Sequence, residues 1–290
     1  MNRFKTAFLL TLLTGLLIFI GHYLDLHFKS KSFIFVFFGL TIVMNLVSYW
    51  FSDKIILALY GAKKVSESEA PELHRIVSNL AQKAGIPKPA IYMIPTESPN
   101  AFATGRSPQH AAVAVTHGIM RILNSDEVEC VLGHELSHVS QRDTLIATVV
   151  AIIAGMIIML ARILQYSLIF FGGSRNSDRD SGTLGMLFLA IFAPFAAILI
   201  QLAISRTREF KADEGGARLT RNPAGLASAL QKLEQAVIRM PLNASPTTAH
   251  LFIVQPFKGK SILEWFSTHP STASRIENLR KVGRDIGQIF

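Results

Sequence analysis

A single cysteine, Cys130, stands in 290 residues, so no disulfide framework holds this fold together. Charge is scarce too: Asp, Glu, Lys and Arg make up 17% of the chain against 50% hydrophobic residues, which excludes a disordered or wholly solvated chain. No internal repeat or low-complexity tract is evident. The formal net charge is +9, yet the basic residues do not interleave with aromatics on a recognisable module, so no nucleic acid is expected as a partner.

What is present begins with His134-Glu135-Leu136-Ser137-His138. On a helix, histidines at i and i+4 share one face and offer two ligands of a tetrahedral zinc site, with a glutamate near enough to take a proton from water. By itself the pattern arises by chance in roughly one chain in a hundred of this length. Its surroundings favour a helix: Ser125 is the expected N-cap, Asp126 and Glu127 fill the first turn, and Val128, Val131, Leu132, Leu136 and Val139 form an apolar stripe. A third ligand should exist. A long metzincin spacing needs glycine at 141 and histidine at 144, where Gln141 and Thr144 stand. A glutamate from a second helix is the other common solution, and Arg208-Glu209-Phe210-Lys211-Ala212-Asp213 supplies Glu209 with Asp213 one turn on. Glu209 is then a ligand to one Zn2+ per chain, and Asp213 a partner for the far nitrogen of a ligand histidine. A charged helix on a solvated face is the competing reading. Cys130, one turn before His134, is read as a small buried helix residue in preference to a ligand.

Apolar residues are gathered in four runs, each read as a transmembrane helix of about 20 residues or more: Ala7 to Leu24, Phe33 to Phe51, Thr144 to Phe171 and Leu184 to Ile204. Arg162 falls about 27 Å along the third, close enough to the far interface to snorkel. After the first, His22, Tyr23, Leu24 and Asp25 occupy the place of a signal cleavage site, so that span is expected to stay as an anchor. The chain thus divides into a hairpin at 1–51, the first part of a peptidase domain at 52–143, a second hairpin at 144–204 and the second part of the domain at 205–290. Both motifs return to one face of the membrane, with the metal roughly 10 Å beyond the span ends. Arg3, Lys5, Lys54, Arg142, Arg206, Arg208 and Lys211 flank the spans on that side, against Lys29, Lys31, Arg175 and Arg179 on the other. This asymmetry predicts a cytoplasmic active site and cytoplasmic termini.

In the soluble blocks, Pro71 opens a helix that Gly85 ends, and helices are expected near Pro223 to Val237 and Thr272 to Lys281. Ala90 to Ile94, Ala101 to Thr104 and Ala111 to Thr116 read as strands of a small antiparallel sheet. The remaining histidines, His22, His27, His74, His110, His117 and His250, lack partners at metal-site spacing.

The set Gly133-His134-Glu135-Leu136-Ser137-His138, Ser205 to Asp213, and Thr268-His269-Pro270 followed by Arg275-Ile276 resembles the HtpX membrane metalloproteases, relatives of the CAAX prenyl proteases. The resemblance spans nearly the whole chain. One departure is that a turn often reading Asn-Gly-Asp in the family is Gln141-Arg142-Asp143 here, which puts the local loop shape in question. The fold implied is a mainly α integral membrane protein, four transmembrane helices carrying a gluzincin-like peptidase domain. The resemblance further implies His269 as a donor to the oxyanion of the tetrahedral intermediate and Arg275 as an orienting residue. Asn100, Ala101, Phe102 and Ala103 lie on what resembles the family's edge strand, which would pair with an extended substrate. Expected partners are the lipid bilayer and misfolded or unfolded polypeptides, and the expected role is quality control at the bacterial inner membrane. A processing protease with one dedicated substrate, or a catalytically silent zinc-binding scaffold, are the alternatives. Oligomeric state is left open.

Overall fold

The computed structural model describes residues 31–155, 206–239, 251–254 and 270–290, with single positions between 8 and 25 and at 158 and 248. Among them one helix, α1 (Phe33–Trp50), is long and apolar enough to cross a membrane. Phe35, Val36, Phe38, Ile42, Val43 and Leu46 all point outward from it, an arrangement that suits lipid and not water. The single positions described from Phe8 to Asp25 are helical and run antiparallel to α1: Asn45 Nδ2 donates to Thr14 Oγ1 at 3.0 Å, and the Asp25 carboxylate accepts from the Phe33 and Ile34 amides. Of the third expected span α6 (Thr144–Gly155) and Ile158 are described; the rest of it, and all of Leu184 to Ile204, lie outside the described residues.

At Phe51 the backbone leaves helical geometry, and the chain restarts as α2 (Ser52–Leu59). Four strands follow, β1 (Lys63–Lys64), β2 (Ala90–Ile94), β3 (Ala101–Gly105) and β4 (Ala111–Thr116), in the order β1-β2-β4-β3. The sheet is mixed, correcting the antiparallel expectation. β3 and β4 form the expected antiparallel hairpin, but β2 pairs parallel to β4, Ala90 opposite Ala112 through Ile94 opposite Thr116. The reason is the arch of residues 95–100, which carries the chain over the end of β4 and leaves β4 between its two predecessors. Gly118 sits under that arch, where a Cβ would stand 2.0 Å from the Glu97 carbonyl oxygen.

Side-chain alternation along the strands feeds two apolar layers. Ala101, Ala103, Val113 and Val115 face α3 (Pro71–Lys83), α5 (Ser125–Ser140) and α8 (Pro223–Arg239), meeting Leu80, Val131, Leu132, Leu136 and Leu230. Phe102, Ala112 and Ala114 face the other way, onto Ile56 and Leu57 of α2 and Ala151 and Ile152 of α6. A short helix, α4 (His117–Ile122), joins β4 to α5. α5 starts one residue earlier than expected: Asn124, not Ser125, is the N-cap, its side chain accepting from the Glu127 amide while Glu127 Oε2 accepts from the Asn124 amide. α7 (Arg206–Thr220) and α9 (Thr272–Asp285) complete the described domain.

Candidate metal and catalytic site

α5 places His134 and His138 one turn apart, ring centroids 4.8 Å from each other. α7 crosses α5 at a pair of glycines, Gly133 and Gly216, and a Cβ at Gly216 would stand 2.7 Å from the His134 amide nitrogen. That close crossing brings Glu209 onto the histidine face. Its Oε2 lies 3.8 Å from His134 Nε2 and its Oε1 3.6 Å from His138 Nε2. One donor atom from each of the three residues falls within 4.8 Å of the others. Ligands about 2.1 Å from a tetrahedral zinc stand about 3.4 Å apart, so this donor set fits the ion with small side-chain shifts.

The far nitrogens of both rings are spoken for. Asp213 Oδ1 lies 3.0 Å from His134 Nδ1, and Asp143 Oδ2 3.6 Å from His138 Nδ1. The Asp213 carboxylate at hydrogen-bond distance favours the proton on His134 Nδ1 and leaves Nε2 facing Glu209, and the Asp143 charge near His138 Nδ1 favours the same tautomer there. Asp213 in turn is gripped by a two-pronged guanidinium: Arg275 Nε donates to Oδ2 at 2.9 Å and Nη2 to Oδ1 at 2.6 Å. Arg275 is fully buried, and its Nη1 also donates to the Ile253 carbonyl at 2.6 Å. Burial works against the Asp213 charge, but Arg275 and His134 outweigh it and hold the carboxyl below its ordinary range. Burial likewise depresses His134, whereas at His138 the carboxylates of Asp143, Glu209 and Glu135 overcome burial and raise it.

Glu135 is buried beside this donor set without joining it. Burial is the main reason its carboxyl is pushed up to about 7, a value suited to exchanging protons near neutrality. Its Oε2 accepts the Ala103 amide of β3 at 3.0 Å. Because Thr116 donates to the Asn100 carbonyl, alternation turns the backbone amides of Ala101, Ala103 and Gly105 away from β4, and that of Ala103 meets Glu135. Of the four residues assigned to substrate, Phe102 and Ala103 line the cavity with Thr144, Ala147, Leu251 and Phe252. Asn100 is buried, its side-chain oxygen accepting from the Ile253 amide at 3.3 Å. Ala101 is fully buried in the core. His269 lies outside the described residues.

Two site residues escaped the sequence reading. Asp143 serves His138, and Arg208, lining the cavity, sits 3.8 Å from Asp143 Oδ1. In the turn between His138 and Asp143, Arg142 adopts φ 60°, the left-handed conformation that glycine supplies more cheaply. The Asp143 amide closes that turn on the His138 carbonyl at 3.0 Å. Cys130 is no ligand, since its buried thiol meets the Asn222 carbonyl at 3.3 Å, and burial pushes it up to about 12.

The profile of peptidase family M48 matches residues 67–282, which contain every residue of this donor set. A "Protease HtpX homolog" from Pyrococcus furiosus is 54% identical over 99% of this chain and 98% of its own length. The chain belongs to the HtpX family of M48 peptidases. Proteins of the same description from Syntrophobacter fumaroxidans and a Nostoc species are each 50% identical, over 97% and 99% of this chain and 99% of their own lengths. The crystal structure of S. mikatae Ste24p shares the fold, at 19% identity and a TM-score of 0.51, covering 96% of this HtpX-family chain and 65% of that longer one. By family, then, this is a membrane metalloprotease.

Proposed function

We propose that the protein is a zinc endopeptidase that hydrolyses extended segments of misfolded or membrane-associated proteins at the cytoplasmic face of a bacterial inner membrane, in membrane protein quality control. The observation that carries this reading is the convergence of His134 Nε2, His138 Nε2 and the Glu209 carboxylate within 4.8 Å, with Glu135 buried alongside. His134, His138 and Glu209 would hold the ion. When bound, zinc supplies a Lewis acid that polarises the scissile carbonyl and makes water acidic enough to lose its proton near pH 7.

The remaining work belongs to the chain. Glu135 accepts the proton of the attacking water and passes it to the leaving amine, and the Ala103 amide on Oε2 fixes which way its carboxylate faces. Asp213 and Arg275 keep the His134 ring in register, and Asp143 does the same for His138. β3 offers an edge against which an extended peptide can lie, and a helix cannot use it because its amides are spent internally. His269 is kept as a donor to the oxyanion, the multi-pass topology has both termini cytoplasmic, and the role in quality control rests on the family.

Glu135→Gln tests the reading. Zinc content measured on the purified variant should match wild type, while cleavage of a flexible peptide falls by roughly 10² to 10⁴. An active variant would overturn the role of Glu135. A wild-type protein that holds zinc and never hydrolyses peptide would leave a scaffold in place of an enzyme.

A further inference from the structure

The tip of the β3–β4 hairpin touches the end of the membrane-crossing helix. The Arg106 guanidinium stacks 5.0 Å from the centre of the Trp50 ring, and Arg106 Nη1 donates to the Trp50 carbonyl at 3.4 Å. Trp50 is the last residue of α1 and is half exposed, with Tyr49 edge-on to it at 5.4 Å. Trp and Tyr at the end of an apolar helix mark the headgroup level of a bilayer. Next along the chain, Phe51 is also half exposed, and Lys54 Nζ lies 5.4 Å from its ring centre.

Basic charge dominates the hairpin side of this corner. The hairpin from Asn100 to Ala112 holds Arg106 and no carboxylate, and the first turn of α2 brings Lys54 together with Asp53. An arginine stacked on an interfacial tryptophan keeps donors beyond the one it spends on the Trp50 carbonyl, and a planar guanidinium matches a phosphate. The same hairpin leads directly to the site: Gly105, the neighbour of Arg106, accepts from Thr144 Oγ1 at 3.0 Å, and Thr144 follows Asp143, which serves His138.

We infer that Arg106 and Trp50, with Lys54 beside them, form a binding site for the phosphate headgroup of an anionic lipid on the surface where α1 leaves the membrane. A lipid held there pins the outer end of β3 to the bilayer surface and so sets the height of the metal site above it. The surface continues the apolar face of α1, which is why the occupant is a lipid and not a soluble phosphate. The inference rests on α1 crossing the membrane and not on the chemistry of the site.

The test uses the full chain carrying Trp265→Phe, which leaves Trp50 as the single tryptophan, in vesicles of phosphatidylcholine and phosphatidylglycerol. In one preparation only phosphatidylglycerol carries brominated acyl chains, and in the other only phosphatidylcholine does, at matched composition. Quenching of Trp50 should report phosphatidylglycerol enriched about five-fold over its bulk fraction, the effect of one interfacial cation. Arg106→Gln should lower that enrichment by about the same factor, and Arg106→Lys should keep part of it. Enrichment should also fade at high salt, as an electrostatic contact does. Equal quenching by the two lipids in the Arg106 protein overturns the inference. So does enrichment that survives Arg106→Gln. If Trp50 is quenched by neither lipid, it does not lie in the bilayer and the inference fails at its first step. Hydrolysis of a soluble peptide by each protein is followed in parallel, so failure of the lipid site is distinguishable from failure of the peptidase reading.

Discussion

Gly216 of α7 lies against His134 of α5 so closely that a methyl group on it would stand 2.7 Å from the His134 amide nitrogen and 2.9 Å from its Cα. Those atoms are backbone of the ligand helix and cannot swing aside. An alanine replacing glycine within a helix ordinarily stabilises it by about 1 kcal/mol. Here Gly216→Ala should destabilise by about 1–3 kcal/mol, because α7 must move off α5. Glu209 moves with it, so zinc affinity should also fall by at least about tenfold. Thermal unfolding and metal titration on the same variant check this. A more stable variant with unchanged zinc affinity would mean the two helices are not packed at these glycines.

Little of that crossing is visible in the sequence, since a glycine needed for close approach looks like any other helical glycine. The convergence of His134, His138 and Glu209 was legible because the pattern is local: i and i+4 on one helix, and a Glu-Asp pair at the same spacing on another. Strand positions were legible too, and Ala90–Ile94 and Ala111–Thr116 keep their expected bounds. Pairing order was not. A continuous apolar run such as Ala111 to Val115, with no polar alternation, is the mark of a strand buried on both faces. That signal could have placed β4 centrally, as the structure has it, and argued against a simple meander. Asn124 over Ser125 as N-cap was likewise encoded, in the spacing of Asn124 and Glu127.

Arg275 and Asp213 form a fully buried ion pair, so the two directions of mutation differ sharply. Arg275→Ala strands a buried carboxylate and should cost about 3–5 kcal/mol of stability. Asp213→Asn keeps volume but weakens the hold on His134 Nδ1, and should lower zinc affinity by about 10- to 100-fold. Calorimetric unfolding and competitive zinc titration separate the two effects. Equal zinc affinity in wild type and Asp213→Asn would remove Asp213 from any part in holding the ligand ring.

Glu127 closes the start of α5 and also accepts from Lys232 and Ser228 of α8, at 2.8 and 2.7 Å. Burial would raise its carboxyl, but the bonds from Lys232, Ser228 and the Asn124 amide outweigh burial and hold it below its ordinary value. A depressed folded-state value means stability that is present above the unfolded carboxyl range, near pH 4.5, and lost as pH falls through the folded value. Glu127→Gln should therefore cost about 1–2 kcal/mol at neutral pH. The gap between variant and wild type should close below pH 4.5. Unfolding temperatures of both proteins across an acid series decide it, and a gap constant with pH would show that the charge is idle.

Ala103 is the residue where β3 meets Glu135, because its amide points away from β4 and donates to Glu135 Oε2 at 3.0 Å. Proline can occupy such an outward-facing position on a sheet edge, since the lost donor is not one of the ladder bonds. Ala103→Pro should then fold and hold zinc, while the Glu135 carboxylate loses the group that aims it. The expected result is a fall in kcat of at least about tenfold, with KM and the affinity of a non-cleavable peptide analogue little changed. If the Ala103 amide instead pairs with substrate, the analogue should bind more weakly and KM should rise. Ala103→Ser, which keeps the amide, serves as the control and should retain activity. A proline variant with full kcat would show that Glu135 is oriented by something other than the edge of this sheet.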